Sequence, residues 1–232
     1  MFSPSTRARS YGWRDVACQI AIVAVLGAGL GANGQAQPAA APSPLKIVAL
    51  GDSLTAGYGL PDKDGFVPRL QADLIEKGIA AEVANAGVSG DTSSDGLARL
   101  DWSVPQDTAA VIVELGANDM LRGIRPQTTR DALDAILRRL TARHIAVLLC
   151  GMRAAPNLGP DYGKTFEAIY PDLAAKYGVL LYPFFLDGVA GNLKLVQPDG
   201  MHPNPAGVGI IVERILPKVE ELVSRARALH PS

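Results

Sequence analysis

The chain has 232 residues, 22 basic and 23 acidic side chains, a net charge of −1 and 48% hydrophobic residues. That length suits one domain with short extras and is ample to bury a core. Near-neutral charge with no basic run excludes a nucleic-acid footprint.

The first 36 residues read as a secretory signal peptide. Arg7, Arg9 and Arg14 form a positive start, residues 16–30 form an apolar stretch, and Gly34-Gln35-Ala36 supplies small residues for cleavage. The other reading is a transmembrane anchor, but the apolar run is shorter than the roughly 20 residues a spanning helix needs. Cleavage predicts a periplasmic or secreted protein with no stable membrane anchor. Cys18 would go with the leader, leaving Cys150 alone, so no internal disulfide can form. Cys150 lies in an apolar run and reads as a packed hydrophobe. Residues 37–45, rich in Ala and Pro, read as a linker. Residues 46–228 then form the folded domain.

That domain opens on an apolar strand over residues 47–50, which turns sharply through Gly51-Asp52-Ser53. A helix is predicted over 66–77, ended by Gly78, and a second strand over 81–86, stopped by Gly87. Asp91 or Thr92 caps the next helix, with Leu97 and Leu100 on its core side. The third strand spans 109–115 and is followed by Gly116-Ala117-Asn118-Asp119. Residues 120–126 read as a mobile lid with Gly123 as hinge. A helix opens at Thr128-Thr129-Arg130-Asp131, and the fourth strand spans 145–150. A long loop over 151–163 precedes a helix over 165–176 and a fifth strand over 179–182. Residues 188–200 are irregular. Asn204 and Pro205 then make a helix start, as N-cap and first helical residue.

Strands alternating with amphipathic helices predict an α/β fold: a three-layer α/β/α sandwich on a five-stranded parallel sheet. Right-handed crossovers bring every loop that follows a strand to one edge, and ligands bind at that edge. Ser53, Gly90, Asn118, Asp199 and His202 all fall there. A serine needs a base to attack at neutral pH, and the base needs a carboxylate to orient it. Asp199-Gly200-Met201-His202 supplies both. His144 precedes a strand, at the wrong edge, and His230 lies in the tail. The backbone N–H groups of Ser53 and Gly90 and the Asn118 amide are candidate oxyanion donors. Each residue also has a plain structural reading: Ser53 and Gly90 as turn residues, Asn118 as a loop cap, His202 at a helix entry. Asp52 reads as structural and Asp119 as a loop or lid residue.

Four blocks, Gly51-Asp52-Ser53-Leu54, Gly90-Asp91, Gly116-Ala117-Asn118-Asp119 and Asp199-Gly200-Met201-His202, resemble those of the SGNH (GDSL-type) hydrolases. The runs Asn85-Ala86-Gly87-Val88-Ser89-Gly90-Asp91-Thr92-Ser93, Ala168-Ile169-Tyr170-Pro171 and His202-Pro203-Asn204 resemble the multifunctional branch of acyl-CoA thioesterase I, lysophospholipase L1 and arylesterase. The resemblance implies a flavodoxin-like fold. It implies Ser53 as nucleophile, His202 as base and Asp199 as its orienter, with Ser53, Gly90 and Asn118 at the oxyanion hole. It implies no metal or cofactor. Substrate contacts are expected from Met120, Leu121, Met152, Arg153 and Pro156. Ala117 stands where glycine is frequent in that branch, and Pro156 is placed differently in a loop that lines the acyl pocket of relatives. Arg122, Arg125 and Arg153 read as contacts for anionic head groups or as solvated arginines.

The expected function is hydrolysis of carboxylic esters and thioesters, of aryl, medium-chain acyl, acyl-CoA or lysophospholipid type, by a monomer whose partner is a small-molecule or lipid substrate. The alternatives are a carbohydrate or peptidoglycan O-acetylesterase on the same scaffold, and an inactive lipid- or glycan-binding module.

Overall fold

The computed structural model describes residues 44–231; the leader assigned to residues 1–36 and most of the linker lie outside that range. The elements, in chain order, are β1 (Leu45–Gly51), α1 (Ser53–Ala56), α2 (Phe66–Glu76), β2 (Ala81–Gly87), α3 (Ser93–Ala98), α4 (Leu100–Ser103), β3 (Ala110–Glu114), α5 (Ala117–Leu121), α6 (Pro126–Ala142), β4 (Ala146–Cys150), α7 (Pro160–Glu167), α8 (Ile169–Tyr177), β5 (Leu180–Tyr182) and α9 (Pro205–Leu229). Short 3-10 turns cover Asp62–Asp64 and Pro156–Leu158.

The five strands form one sheet in the order β2-β1-β3-β4-β5, and all neighbours run parallel. Every residue of β3 and β4 is buried, as a sheet covered on both faces requires. Helices α2 and α9 pack together on one face, and α3, α6 and α8 pack in series on the other. The strand order reverses direction between β1 and β3. The C-terminal ends of that pair form the switch point where open α/β sheets receive ligands. The register pairs Gly51 with Glu114 there, so the turn after β1 and the turn after β3 emerge side by side.

Local chemistry explains where the elements begin and end. Thr92 caps α3 through a capping box with Asp95. Asn204 Oδ1 accepts from the N–H groups of Ala206 and Gly207, both at 3.0 Å, with Pro205 as first helical residue, as expected.

Three expectations are corrected. The helix expected at Thr128 starts at Pro126, because proline suits the first helical position. Residues Ala117–Leu121, in the stretch read as loop and lid, form α5. The helix expected over 165–176 is two helices divided at Ala168, and its first part begins at Pro160, inside the predicted loop. Pro171 has no N–H to donate to the Glu167 carbonyl, so the hydrogen-bond ladder is interrupted there.

Candidate active site

The turn after β1 carries the first candidate residue. Asp52 is the N-cap of α1 and its Oδ1 accepts from Leu54 N–H at 3.0 Å. Gly57 ends the helix at φ 79°, a left-handed conformation that glycine adopts at no steric cost. Ser53 is therefore the first residue of a single helical turn. Gly51 must be glycine for a different reason: a Cβ there would lie 2.0 Å from Thr55 Oγ1 and 2.8 Å from the Glu114 carbonyl.

The loop before α9 carries the second part. Gly200, at φ 72°, lets residues 199–202 fold back on themselves. Asp199 Oδ1 accepts from the N–H groups of Met201 (2.9 Å) and His202 (3.0 Å), and Oδ2 lies 2.6 Å from His202 Nδ1. His202 Nε2 lies 2.9 Å from Ser53 Oγ. The Met201 N–H and the His202 ring hold the Asp199 carboxyl down at about 2. An ionised Asp199 can only accept, so His202 Nδ1 carries the ring proton and Nε2 is left as acceptor for the Ser53 hydroxyl. Three residues from the two ends of the domain thus form one hydrogen-bonded line.

Gln197, a residue that the sequence reading passed over, ties this loop to the nucleophile turn. Its Nε2 donates to the Tyr58 carbonyl (2.8 Å) and the Pro203 carbonyl (3.0 Å).

The candidate oxyanion donors come from the turns after β1, β2 and β3. Among the described residues, neither the Ser53 nor the Gly90 N–H donates to a protein acceptor. Gly90 sits at φ 89°, and its carbonyl accepts from Arg122 Nη2 at 2.7 Å. Arg122, the C-cap of α5, thus fixes the Gly90 loop. Asn118 Nδ2 donates to Asp52 Oδ2 (3.1 Å) and to the Asp91 carbonyl (3.0 Å). Its NH2 end, not its carbonyl, points to the nucleophile turn.

Two ionisable side chains beneath the site escaped sequence reasoning. Arg99, almost fully buried, donates to Asp91 (2.5 Å), to the Gly51 carbonyl (2.8 Å) and to Ser103 Oγ (3.0 Å). Glu114 ends β3 and accepts from Thr55 Oγ1 at 2.8 Å. Burial raises the Asp52 carboxyl to about 6, although Leu54 N–H, Glu114, Asn118 and His202 all favour its charge. Burial, then the Asp52 charge, pushes Glu114 well above the usual carboxylate range. Strand alternation offered no signal for Glu114, since every position of a doubly covered strand points into protein. Asp119, expected as a loop residue, is fully buried and structural. It accepts from Ser93 N–H (2.7 Å), Ser93 Oγ (2.6 Å) and Thr129 Oγ1 (2.9 Å).

The pocket against Ser53 and His202 has a volume of about 10 Å³, the space of one water. Its walls include Leu54, Tyr58, Phe66, Phe185 and Ile211. None of the five expected substrate contacts lines it. Met120 and Met152 are packed into the core, Arg153 lies over the Phe184 ring at 4.7 Å, and Pro156 opens a 3-10 turn. Leu121 is exposed, as are Tyr58, Val88 and Met201. All four follow β-strands or flank His202, so they give the active edge an apolar rim. A larger hollow of about 360 Å³, lined by His144, Tyr177 and Arg225 among others, opens instead where β4 begins. No candidate site residue reaches it. Among the described residues no group of acidic, His or Cys side chains could hold a metal ion, and no helix is long and apolar enough to cross a membrane.

Comparison with known proteins gives a consistent picture. Residues 49–210 match the GDSL-like Lipase/Acylhydrolase family. Esterase TesA of Pseudomonas aeruginosa is 38% identical over 178 residues, which cover 76% of this chain and 89% of that protein. The Thioesterase 1/protease 1/lysophospholipase L1 of Escherichia coli K12 is 40% identical over 179 residues, covering 77% and 85%. The crystal structure of the psychrotrophic esterase EstA from Pseudoalteromonas sp., inhibited by monoethylphosphonate, superposes with a TM-score of 0.73 at 32% identity, covering 77% of this chain and 98% of that one.

Proposed function

This chain belongs to the GDSL-like lipase/acylhydrolase family, and we propose that it is a secreted serine hydrolase that transfers the acyl group of carboxylic esters and thioesters to water. The observation that carries the reading is the 2.9 Å contact between Ser53 Oγ and His202 Nε2, with Asp199 behind the ring. Ser53 Oγ attacks the acyl carbon as His202 Nε2 takes the hydroxyl proton. The Asp199 carboxylate stabilises the imidazolium that forms. The carbonyl oxygen becomes an anion facing the N–H groups of Ser53 and Gly90, and the Asn118 NH2 must release the Asp91 carbonyl to join them. The carbon–oxygen or carbon–sulfur bond then breaks, the leaving group takes the proton from His202, and an ester to Ser53 remains. Water, deprotonated by His202, attacks that ester and releases the acid and the free serine.

The apolar rim of Tyr58, Val88, Leu121 and Met201 favours acyl chains over sugars. The relatives named as esterase and as thioesterase/lysophospholipase point to the same substrate classes. The small pocket beside Ser53 favours a second reading, in which the acyl group is acetyl. Comparing hydrolysis of octanoyl and acetyl esters separates the two. The test of the mechanism is Ser53→Ala together with labelling by a fluorophosphonate. We expect Ser53-dependent labelling and loss of p-nitrophenyl ester hydrolysis in the variant. A variant that hydrolyses at the wild-type rate overturns the assignment.

A further inference from the structure

Residues 88–91 form a tight turn at the active edge, closed by the Asp91 N–H on the Val88 carbonyl at 3.1 Å. Gly90, third in that turn, sits at φ 89°, which makes it a type II turn. The middle peptide, from Ser89 to Gly90, carries the candidate oxyanion donor. Among the described residues, neither the Gly90 N–H nor the Ser89 carbonyl has a protein partner. Glycine populates both signs of φ about as readily, so Gly90 itself does not hold that N–H in place. Types I and II differ by a half-turn of the middle peptide. A rotation of that kind would set the Ser89 carbonyl where the donor had pointed.

The neighbouring groups hold the turn instead. From the sheet side, the Val88 N–H donates to the Gly51 carbonyl at 3.0 Å, and Arg99 Nε donates to the Asp91 carboxylate at 2.5 Å. From the α5 side, Asn118 Nδ2 donates to the Asp91 carbonyl at 3.0 Å, and Arg122 Nη2 donates to the Gly90 carbonyl at 2.7 Å. Only the last bond falls on Gly90 itself. The Asn118 bond is the one that acyl transfer must give up, because both hydrogens of that NH2 are committed, to Asp52 and to Asp91. The Arg122 bond then still joins α5 to the turn. Asp95, the carboxylate that feels the Arg122 charge, is bonded to the Thr92 N–H and hydroxyl instead.

We propose that Arg122 is a positioning residue for acyl transfer: its bond to the Gly90 carbonyl keeps the Gly90 N–H aimed at the oxyanion while Asn118 lets go of the same turn. This rests on the acyl-transfer reading above. Gly90 joins two peptide planes through bonds with little steric preference. Fixing the second plane limits the rotation of the first. Arg122 is exposed and grips a backbone carbonyl, not the reacting atoms. Its removal therefore loosens the donor without unfolding the domain.

The test uses the full chain and an uncharged p-nitrophenyl ester, so that attraction between the guanidinium and an anionic substrate plays no part. For Arg122→Ala we expect kcat to fall about 10-fold, less than for loss of a whole oxyanion donor, with KM changed less than about threefold. The melting temperature should move by less than about 2 °C, as for other exposed substitutions. Arg122→Lys should recover part of kcat, since an ammonium still donates to one carbonyl. Millimolar guanidinium should raise kcat of Arg122→Ala and leave wild type unchanged. In Gly90→Ala the side chain disfavours the left-handed φ, so the donor is displaced whether or not Arg122 is present. Adding Arg122→Ala to Gly90→Ala should therefore cost less than about threefold more. If the Gly90→Ala rate is too slow to measure, the lysine variant and guanidinium decide. Wild-type kcat in Arg122→Ala, a loss carried by KM, a loss that neither lysine nor guanidinium reverses, or a full second loss in the double variant overturns the proposal. So does an Arg122→Ala chain that does not fold, because an exposed anchor of one turn does not hold up a domain. Fluorophosphonate labelling of the wild type separates the two readings. Without label on Ser53 the hydrolase reading fails, and with it any of those outcomes removes the role of Arg122 alone.

Discussion

The ring of Tyr58 leans over the imidazole of His202, with centroids 4.7 Å apart and planes tilted by 40°. Tyr58 belongs to the turn that follows the nucleophile, and His202 to the loop that precedes the last helix. The contact therefore joins the two halves of the site, alongside Gln197, which bonds the Tyr58 carbonyl. An aromatic pair of this kind contributes about 0.5–1.5 kcal/mol beyond its buried area. Tyr58→Ala should lower kcat/KM for a p-nitrophenyl ester by about 2- to 10-fold, with little change in thermal stability, since the residue is half exposed. Tyr58→Phe should be close to wild type, because the ring and not the hydroxyl makes the contact.

Asp199 sets the tautomer of His202, and its replacement tests that role. Asparagine at 199 can still accept from Met201 and His202 N–H through Oδ1, so the loop keeps its shape. Its NH2 would face Nδ1 and force the ring proton onto Nε2, where it blocks acceptance from Ser53. Asp199→Asn should lower kcat by about 10⁴-fold, the effect of the wrong tautomer in serine hydrolases, while fluorophosphonate labelling slows in parallel. The carboxyl also links to acid stability. Its folded value is depressed to about 2, so its contribution is fully present above the ordinary carboxylate range and is lost as pH falls toward 2. Acid unfolding of Asp199→Asn should lack that component, as read by circular dichroism between neutral pH and pH 2.

Much of this was legible in the sequence, and the parts that were not have a common cause. Period and punctuation located the five strands, because a sheet covered on both faces needs continuous apolar runs between glycine stops. The edge rule put Ser53, Asn118 and His202 together without reference to contacts. Helix α5 was missed because five residues carry too little periodicity to register. The division at Ala168 was missed because Pro171 sits within an otherwise helical pattern, and its missing donor matters only once a ladder exists. Arg99 and Glu114 were missed for a deeper reason. Burial of an ionisable group depends on partners 48 and 59 residues away in sequence, and no local pattern announces them.

Arg99 should prove costly to remove. Its side chain is only 8% exposed and its guanidinium satisfies both the Asp91 carboxylate and the Gly51 carbonyl at the end of β1. Arg99→Ala leaves Asp91 uncompensated and the carbonyl short of a donor, and breaking a buried pair by removing one partner costs about 3–5 kcal/mol. The same change frees the backbone of Asp91, whose carbonyl accepts from Asn118. Urea unfolding should show the loss of stability. Kinetics on the fraction still folded should show a lower kcat as well. Arg99→Lys should recover only part of either, since one ammonium cannot span a carboxylate and a carbonyl in the manner of a fork.

Gly87 and Gly78 make a controlled pair for the close packing of the nucleophile turn. A Cβ at Gly87 would lie 2.3 Å from Ala56 N and 2.8 Å from Ala56 Cα, both backbone atoms of α1. Neither can rotate away, so α1 must move, and Ser53 opens that helix. Gly87→Ala should therefore cost about 1–3 kcal/mol, the range of core overpacking, and should depress kcat through displacement of Ser53. At Gly78 a Cβ would meet nothing within 4 Å, but φ is +67°. Gly78→Ala should cost about 1–2 kcal/mol from the left-handed backbone alone, and should leave kcat untouched because the residue lies at the far end of α2. Equal effects of the two changes on kcat would show that the α1–β2 contact does not place the nucleophile.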